Sequence, residues 1–255
     1  MKYMGSKAKY AADILNVILL DLLDKYSITT DQLQHYSWIK PFVGGANMMA
    51  AVPSIFFKNR IGYDINYFVI KMFQALQNGW VPPDNISEEE YDNAKHWSKE
   101  YYTTSIPISL ALIGFVGIGC SYSGKWFGGY ARGKNNYGLD RNYCLESKKN
   151  ILRQKPKLIN VDFIYDSYNN IKFPLKSIIY CDPPYASTTN YAKGIDHKEF
   201  WTWCNKQVNE GHRIYVSEYE APEDWTCIWS KTVNNSLTKN TGSKKGIERL
   251  FTKSP

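Results

Sequence analysis

Short apolar runs alternate with helical patterns in two separate parts of this chain, and this alternation constrains the fold more than any other feature. The first part has strand candidates at residues 38–43 and 60–64. A helix candidate at residues 46–57, interrupted by Pro53, follows the first of them, and a helix candidate at residues 67–77 follows the second. The later strand candidates are residues 158–163, 177–182, 212–217, 225–230 and 248–252. Strand–helix–strand order is typical of a parallel sheet, so we predict an α/β fold with helices on both faces of the sheet.

The alternation stops between residues 81 and 157. This range contains an acidic helix candidate at residues 87–100 and an apolar stretch at residues 106–120, which is followed by a segment rich in glycine, aromatic and basic residues. We therefore predict that residues 1–80 and 158–255 form one α/β domain. Residues 81–157 would be an inserted domain built mainly of helices and a hairpin.

Positive charge is concentrated in two segments of the chain. The formal net charge is +7 for 255 residues, yet residues 125–157 alone carry nine Lys or Arg and only two acidic residues. Residues 231–253 carry six Lys or Arg and one acidic residue. Such clustering indicates a polyanionic partner, although a solvated lysine-rich surface would have the same composition.

The cysteines, histidines and apolar stretches exclude several classes of protein. The five cysteines form no Cys-x-x-Cys pair, and the four histidines lack metal-binding spacing. The first residues lack the apolar core of a secretory signal, and the apolar stretch at residues 106–120 is too short and too polar for a membrane span. We therefore expect reduced thiols, a cytoplasmic location, no metal and no membrane association.

A glycine-containing turn follows the first strand candidate. Residues 41–47 read Pro-Phe-Val-Gly-Gly-Ala-Asn, and Asp64 ends the next strand candidate, 20 residues after Gly44. Glycines in such a turn let a ligand approach the backbone, and an acidic residue at this spacing commonly binds ribose hydroxyls. The lack of Gly-x-Gly-x-x-Gly favours a nucleoside cofactor without a pyrophosphate, such as S-adenosylmethionine. A turn that serves only packing is the alternative.

A second chemical signal is Asp-Pro-Pro-Tyr at residues 182–185, directly after an apolar strand candidate. Two successive prolines restrict the backbone and have no N–H, so the carbonyls of Asp182 and Pro183 are predicted to lie in a rigid turn. A carboxylate, a carbonyl and an aromatic ring together suit an exocyclic amine and the base that carries it. A proline turn with a solvated aspartate is the alternative.

These two segments, with Lys-Tyr-Met-Gly-Ser-Lys at residues 2–7, resemble the Dam-like N6-adenine DNA methyltransferases in composition and in order. The resemblance implies a Rossmann-like methyltransferase sheet with S-adenosylmethionine as cofactor. The implied cofactor-binding residues are Tyr3, Lys7, Phe42, Gly44, Asp64, Asp162 and Phe163. Asp166 competes with Asp162 for the last acidic position. The implied catalytic residues are Asp182, Pro183, Pro184 and Tyr185.

The resemblance also implies that the insertion recognises the DNA target. Residues 121–132 resemble the family's basic and aromatic hairpin, although Trp-Phe-Gly-Gly-Tyr at residues 126–130 departs from its usual sequence and leaves the target open. Basic side chains would contact phosphates, polar ones would read base edges, and the rings of Trp126, Phe127 or Tyr130 would wedge between bases. The implied DNA-binding residues are Lys125, Trp126, Tyr130, Arg132, Lys134, Asn135 and Asn136.

The implied reaction is site-specific methylation of N6 on an adenine that is flipped out of double-stranded DNA. Asp182 and Pro183 would accept the amine hydrogens, and Tyr185 would stack on the flipped base. The alternatives are methylation of cytosine N4 and a catalytically inactive relative that only binds DNA; a Rossmann oxidoreductase is a weaker third. We expect a monomer or weak dimer in the cytoplasm of a bacterial or phage-infected cell.

Overall fold

The described part of the chain, in a computed structural model, comprises residues 1–100, 108–184, 195–234 and 245–254. Its strands are β1 (Ser37–Lys40), β2 (Asn59–Asp64), β3 (Asp162–Tyr165), β4 (Ser177–Cys181), β5 (Arg213–Glu218), β6 (Thr226–Asn234) and β7 (Lys245–Thr252). Its helices are α1 (Ala11–Tyr26), α2 (Thr30–Leu33), α3 (Asn47–Ala51), α4 (Tyr67–Gln77), α5 (Glu88–Glu100), α6 (Leu110–Gly119), α7 (Tyr143–Gln154) and α8 (His197–Asn209).

The strands form a seven-stranded sheet in the order β3-β2-β1-β4-β5-β7-β6. β4 runs parallel to both β1 and β5, which confirms the predicted α/β class. β7 runs antiparallel to both β5 and β6. The prediction that the parallel pattern continues through the last two strands was therefore wrong. β6 and β7 are consecutive partners, and antiparallel neighbours need no crossover helix between them.

Helices cover both faces of the central strands. Cys181 pairs with Val216 in the parallel register, so it faces the side opposite to Tyr215, because side chains alternate along a strand. The Tyr215 hydroxyl donates to the carboxylate of Asp21 on α1 at 2.7 Å. The Cys181 thiol contacts that of Cys204 on α8. α1 and α8 therefore lie on opposite faces, as the sequence predicted.

Several predicted element boundaries differ from the structure, and three of them lie close to a proline in the sequence. β1 ends at Lys40, the residue before a proline, and does not reach residue 43. α3 ends at Ala51, two residues before a proline, instead of at residue 57. β3 begins at Asp162 instead of residue 158, because a proline-containing 3-10 turn at Lys155–Leu158 precedes it. Proline has no N–H for a strand ladder or a helix and disfavours helical geometry before it.

Two helices of the predicted insertion, α5 and α7, begin at capping residues. The Ser87 N–H donates to the Glu90 carboxylate at 2.6 Å, and the Glu90 N–H donates to the Ser87 hydroxyl at 3.1 Å. This reciprocal pair starts α5, which confirms the acidic helix expected there. The Asn142 side chain accepts from the Leu145 N–H at 2.8 Å and starts α7 in the same way.

The chain divides into two compact units. The first consists of Met1–Ala11, Val43–Pro53 and Gly62–Ser167. The second consists of Ala12–Phe42, Ser54–Ile61 and Tyr168–Pro255. The whole of residues 81–157 falls within the first unit. The boundaries of an inserted domain at residues 81 and 157 therefore stay a prediction.

In the first unit, α6 lies so close to α4 that one of its glycines has no room for a side chain. Eight of the ten α6 residues are buried, as expected for a helix that is apolar on all sides. A Cβ atom at Gly114 would lie 2.2 Å from the backbone oxygen of Phe68 on α4. Glycine at this position therefore sets how closely the two helices approach.

We expect Gly114→Ala to lower the free energy of unfolding by at least about 2 kcal/mol, because a backbone atom of α4 would have to move. Urea denaturation of both proteins measures the difference. Gly133→Ala is the matched control, since the nearest atom to a Cβ there is the terminal hydroxyl of the Tyr143 side chain, which can move aside. Equal stability of the two variants would show that α4 and α6 are not tightly packed.

Candidate active site

Asp182 directly follows β4, at the carboxyl end of that strand. All five residues of β4 are buried, whereas the Asp182 side chain is 17% exposed. Pro183 is buried and Pro184 is half-buried. The strand thus presents a carboxylate and two prolines at its end, where the sequence placed them. Tyr185, the fourth residue of the predicted set, lies outside the described residues.

A buried lysine contacts this carboxylate. Lys40 ends β1, the parallel neighbour of β4, and its Nζ lies 3.9 Å from Oδ2 of Asp182. The Lys40 side chain is only 3% exposed, and its Nζ lies 5.0 Å from the centre of the Tyr180 ring. The sequence analysis missed Lys40. The available signal was a charged residue inside an otherwise apolar strand candidate.

His197 and Glu218 were also missed, and both approach the proline turn. His197 is the first residue of α8, and its imidazole forms a hydrogen bond with the backbone of Pro184. Its Nδ1 lies 3.7 Å from Oε2 of Glu218, a buried residue that ends β5. Burial is the main influence on the His197 pKa and lowers it, while Asp196 and the Pro184 contact oppose the shift. The neutral imidazole is therefore favoured at pH 7.

Phe42 lies in the same unit as Asp182, two residues beyond the end of β1. Its ring centre is 5.4 Å from that of Tyr168 and 5.9 Å from that of Phe200 on α8. Phe42 is only half-buried. One part of the ring is therefore held by aromatic packing while another part faces outward.

In the first unit, Asp64 holds the glycine turn. Its Oδ2 accepts from the Gly44 N–H at 2.8 Å, and its Oδ1 accepts from the Asn66 N–H at 2.9 Å. The Val43 N–H donates to the Tyr63 carbonyl at 2.8 Å. The predicted pair of Gly44 and Asp64 is thus brought into direct contact at the end of β2.

Tyr3 fills the space beside the two glycines of the turn. Gly44 has a φ of +53°, and a Cβ there would lie 2.9 Å from Cε1 of Tyr3. A Cβ at Gly45 would lie 2.7 Å from the Tyr3 Cβ. The sequence analysis attributed these glycines to the approach of a ligand. In the structure, their small size admits a side chain of the same chain.

Lys7 is a buried cation in the same N-terminal segment as Tyr3, which packs beside this turn. It is 4% exposed, and its Nζ donates to the Gly5 carbonyl at 3.3 Å. The segment around it is anchored, because the Met4 N–H donates to the Gly124 carbonyl at 3.1 Å. A buried ammonium group is a suitable partner for a carboxylate.

The two predicted residues of β3 occupy different environments. Phe163 is 4% exposed, and its ring stacks on Phe73 of α4 with centres 4.7 Å apart. Asp162 is exposed. The competing candidate Asp166 lies beside the acidic end of β2, since its N–H donates to the Asp64 carbonyl at 3.2 Å. Phe163 is therefore a core residue, and Asp166 is the acid that lies near Asp64.

The aromatic residues of the predicted hairpin pack against α4 and α5. Trp126 stacks on Phe68 with ring centres 6.0 Å apart. The Tyr130 hydroxyl donates to the Ile86 carbonyl at 2.6 Å. Both side chains are half-buried. These contacts favour a packing role for the two rings, while Lys125 beside them is also only half-buried.

A tight turn with a fully exposed tip follows at residues 132–140. Lys134 and Asp140 form a β-bridge, and the Asn135 side chain accepts from the N–H groups of Tyr137 and Leu139 at 2.9 and 3.0 Å. Every residue of this segment is exposed, and Tyr137 reaches 88%. Arg132, at its start, pairs with Glu88. The sequence analysis selected Arg132, Lys134, Asn135 and Asn136 here but missed Tyr137 and Leu139.

Among residues 1–100, 108–184, 195–234 and 245–254, no group of three or more His, Cys, Asp or Glu side chains could hold a metal ion. Within the same ranges, no helix combines the length and apolar character needed to cross a membrane.

The sequence matches one family model. The family is described as the D12 class N6 adenine-specific DNA methyltransferases, and the match covers residues 3–165, more than half of the chain. It includes the glycine turn, Asp64 and the exposed tip at residues 132–140. No curated protein sequence matches the chain significantly.

Two solved structures are distantly similar. A candidate methylase from Haemophilus influenzae is 13% identical, with a TM-score of 0.35 over 96% of this chain and 99% of that one. A candidate methyltransferase crystallised with SAH is 10% identical, with a TM-score of 0.38 over 99% of this chain. The chain spans about 54% of the length of the second. At these TM-scores neither likeness carries an argument about this chain.

We expect Asp64→Ala to lower the free energy of unfolding by about 1–3 kcal/mol, because two backbone N–H groups lose their acceptor. Asp162→Ala is the matched control, because that carboxylate is exposed, and its effect should be within about 0.5 kcal/mol. Urea denaturation compares the two variants. An equal, small effect of both would show that Asp64 does not hold the glycine turn.

Proposed function

Because the chain belongs to the D12 class N6 adenine-specific DNA methyltransferase family, we propose that it methylates N6 of an adenine flipped out of double-stranded DNA. The observation that carries the proposal is the Asp182 carboxylate, held partly exposed at the end of buried β4 and followed by two prolines. The family match does not favour cytosine N4 as the acceptor, nor a relative that only binds DNA, nor an oxidoreductase.

The first unit contains groups that fit S-adenosylmethionine, which supplies an electrophilic methyl group when it is bound. The Asp64 carboxylate accepts the Gly44 and Asn66 N–H groups, and a carboxylate is the kind of acceptor that suits the hydroxyl donors of a ribose. The buried Lys7 ammonium suits the carboxylate of the amino-acid end. Tyr3 stabilises the turn that contains Gly44. We propose that Asp162 or Asp166 is the second acidic residue of the cofactor site, after Asp64. Phe163 would support β3 from the core.

The second unit contains the groups for the acceptor amine. Flipping brings N6 out of the stack and costs a few kcal/mol. Asp182 and the Pro183 carbonyl accept its two hydrogens, so its lone pair is directed away from them. Bound S-adenosylmethionine would supply the methyl group, with its carbon–sulfur bond breaking as the bond to N6 forms, and N6 would then lose a proton to solvent. The leaving group is neutral, so positioning supplies most of the rate. Tyr185 would stack on the base.

DNA contacts are proposed for the exposed turn at residues 132–140. Lys134, Asn135 and Asn136 are exposed and offer the donors that phosphates and base edges require. Tyr137 is the largest exposed ring at its tip and is better placed to contact bases than the packed ring of Trp126. The side-chain oxygen of Asn135, Oδ1, accepts two N–H groups of the turn. The NH₂ group of the same side chain is the part proposed to donate to DNA.

We extend the proposal to the setting of the reaction. Residues 81–157 would act as the target-recognition region, and residues 1–80 and 158–255 as the catalytic domain. We propose a monomer or weak dimer in the cytoplasm of a bacterial or phage-infected cell. A single methyl acceptor per binding event requires no second copy of the chain.

DNA from cells that express the chain should carry N6-methyladenine in one sequence context. Single-molecule sequencing reads both the modified base and its neighbours. Asp182→Ala should abolish the modification, because the amine loses its acceptor carboxylate. Modified cytosine, or no modified base in any context, would contradict the proposed reaction.

Calorimetry with S-adenosylmethionine provides the control for this variant. Asp182→Ala should bind S-adenosylmethionine within about threefold of the wild-type affinity, because Asp64 and Lys7 are unchanged. Wild-type turnover by Asp182→Ala would exclude the role given to Asp182. Loss of cofactor binding in that variant would place Asp182 in the cofactor site instead.

Salt should weaken DNA binding steeply, and the triple variant Lys125→Gln, Arg132→Gln, Lys134→Gln should flatten that dependence. Each lost phosphate contact lowers the slope of log K against log salt by about 0.9, so we expect a decrease of about two to three. Fluorescence anisotropy at several salt concentrations measures the slope. The control changes three exposed lysines elsewhere, Lys25, Lys58 and Lys206, to Gln. An equal decrease in both variants would show that residues 125–134 do not contact DNA.

A further inference from the structure

We propose that Lys40 is a positioning residue for methyl transfer, whose buried ammonium orients the Asp182 carboxylate towards the acceptor amine. This inference rests on the proposed function. Lys40 lies outside residues 2–7, 41–47 and 182–185, the segments that carry the resemblance to the methyltransferase family. Lys40 is a lysine inside a buried strand, where an uncompensated charge is costly. Its contact with Asp182 gives that charge a function.

The register of two parallel strands brings Lys40 to Asp182. Trp38 of β1 pairs with Ile178 of β4, and Ile39 pairs with Ile179. One step further along both strands, Lys40 is level with Tyr180. Side chains alternate, so Lys40, Tyr180 and the residue two positions beyond, Asp182, lie on one face. The 3.9 Å distance between Nζ and Oδ2 follows from this arrangement.

The surroundings of the Lys40 ammonium are rigid. Its Nζ lies 5.0 Å from the centre of the Tyr180 ring, within the range of a cation–π interaction. The Tyr180 hydroxyl is hydrogen-bonded to the Ser217 hydroxyl at 2.8 Å. The Tyr180 ring also stacks on Trp38, with an interplanar angle of 15°. A cation held on such a support has few alternative positions, so it can fix the group that it faces.

The Lys40 ammonium approaches the Oδ2 oxygen of the Asp182 carboxylate, with 3.9 Å between Nζ and Oδ2. Attraction between the two charges is stronger in this buried setting than in water, because the effective dielectric constant is lower. The terminal torsion of an aspartate has a broad energy minimum, so a positive charge beside the carboxylate favours some of its orientations over others. Lys40 would therefore limit the rotation of the carboxylate before the amine arrives.

The test is Lys40→Met, which keeps the length of the side chain and removes its charge. We expect kcat to fall by about 10–100-fold, since small errors in position of a catalytic group have effects of that size. The affinity for S-adenosylmethionine, by calorimetry, and the KM for DNA should stay within about threefold of wild type. Lys206→Met is the matched control, because Lys206 pairs with Glu210 at 3.8 Å but is exposed. That control should turn over at the wild-type rate.

A double variant separates positioning from a purely structural role. Asp182→Asn keeps one side-chain oxygen that can accept an amine hydrogen, so it should retain slow transfer that single-turnover assays can measure. In that background, adding Lys40→Met should slow transfer by less than about threefold, because the carboxylate through which Lys40 acts is already absent. A full 10–100-fold loss in that background would overturn the proposal. So would an unchanged kcat in Lys40→Met alone. If Lys40→Met does not fold, judged by circular dichroism, Lys40→Gln takes its place with the same expected non-additivity.

The outcomes also distinguish this inference from the proposed function. If the wild-type chain methylates adenine and Lys40→Met is equally fast, only the role of Lys40 is wrong. If the wild-type chain binds S-adenosylmethionine but methylates no adenine, the proposed function is wrong and the inference falls with it.

Discussion

The parallel pairing of β1, β4 and β5 is the constraint on which the second unit depends. It buries every residue of β4 and brings the ends of three strands to the same edge. Three charged side chains lie at those carboxyl ends, Lys40, Asp182 and Glu218. A shift of one residue in register would turn Asp182 to the opposite face and separate it from Lys40. The chemistry of the turn is therefore a consequence of the ladder beneath it.

The first unit depends on a different contact, the close approach of Tyr3 to the glycine turn. Side chains larger than hydrogen at Gly44 or Gly45 would collide with Tyr3. The Asp64 carboxylate fixes the same turn from the other direction by accepting the Gly44 N–H. The residues that the sequence connected with a cofactor thus hold one another in place. This mutual packing explains, without any ligand, why glycine is needed at positions 44 and 45 beside Tyr3.

Several predictions from the sequence were correct because they depend on local physics. Apolar runs that end in turns identified the strands, and the acidic run identified α5, whose first turn is capped by the Ser87 hydroxyl accepting the Glu90 N–H. The errors arose where a neighbour decides the outcome. The direction of β6 and β7 depends on which strand each pairs with, and no local pattern states that. The stacking of Trp126 on Phe68 likewise could not be predicted from the positions of the aromatic residues in the sequence, because the fold decides which rings meet.

The sequence by itself determined the α/β class, the order of the chemical segments, and Gly44, Asp64 and Asp182 as residues of interest. Those signals are encoded in consecutive residues, where proline, glycine and strand ends have fixed backbone consequences. Only the tertiary structure decided that Phe163 lies in the core, that Tyr137 is exposed, and that Lys40 reaches Asp182. Lys40 and Asp182 are 142 positions apart in the chain. Their contact exists because hydrogen bonds between β1 and β4 set the register, and register is a property of paired strands.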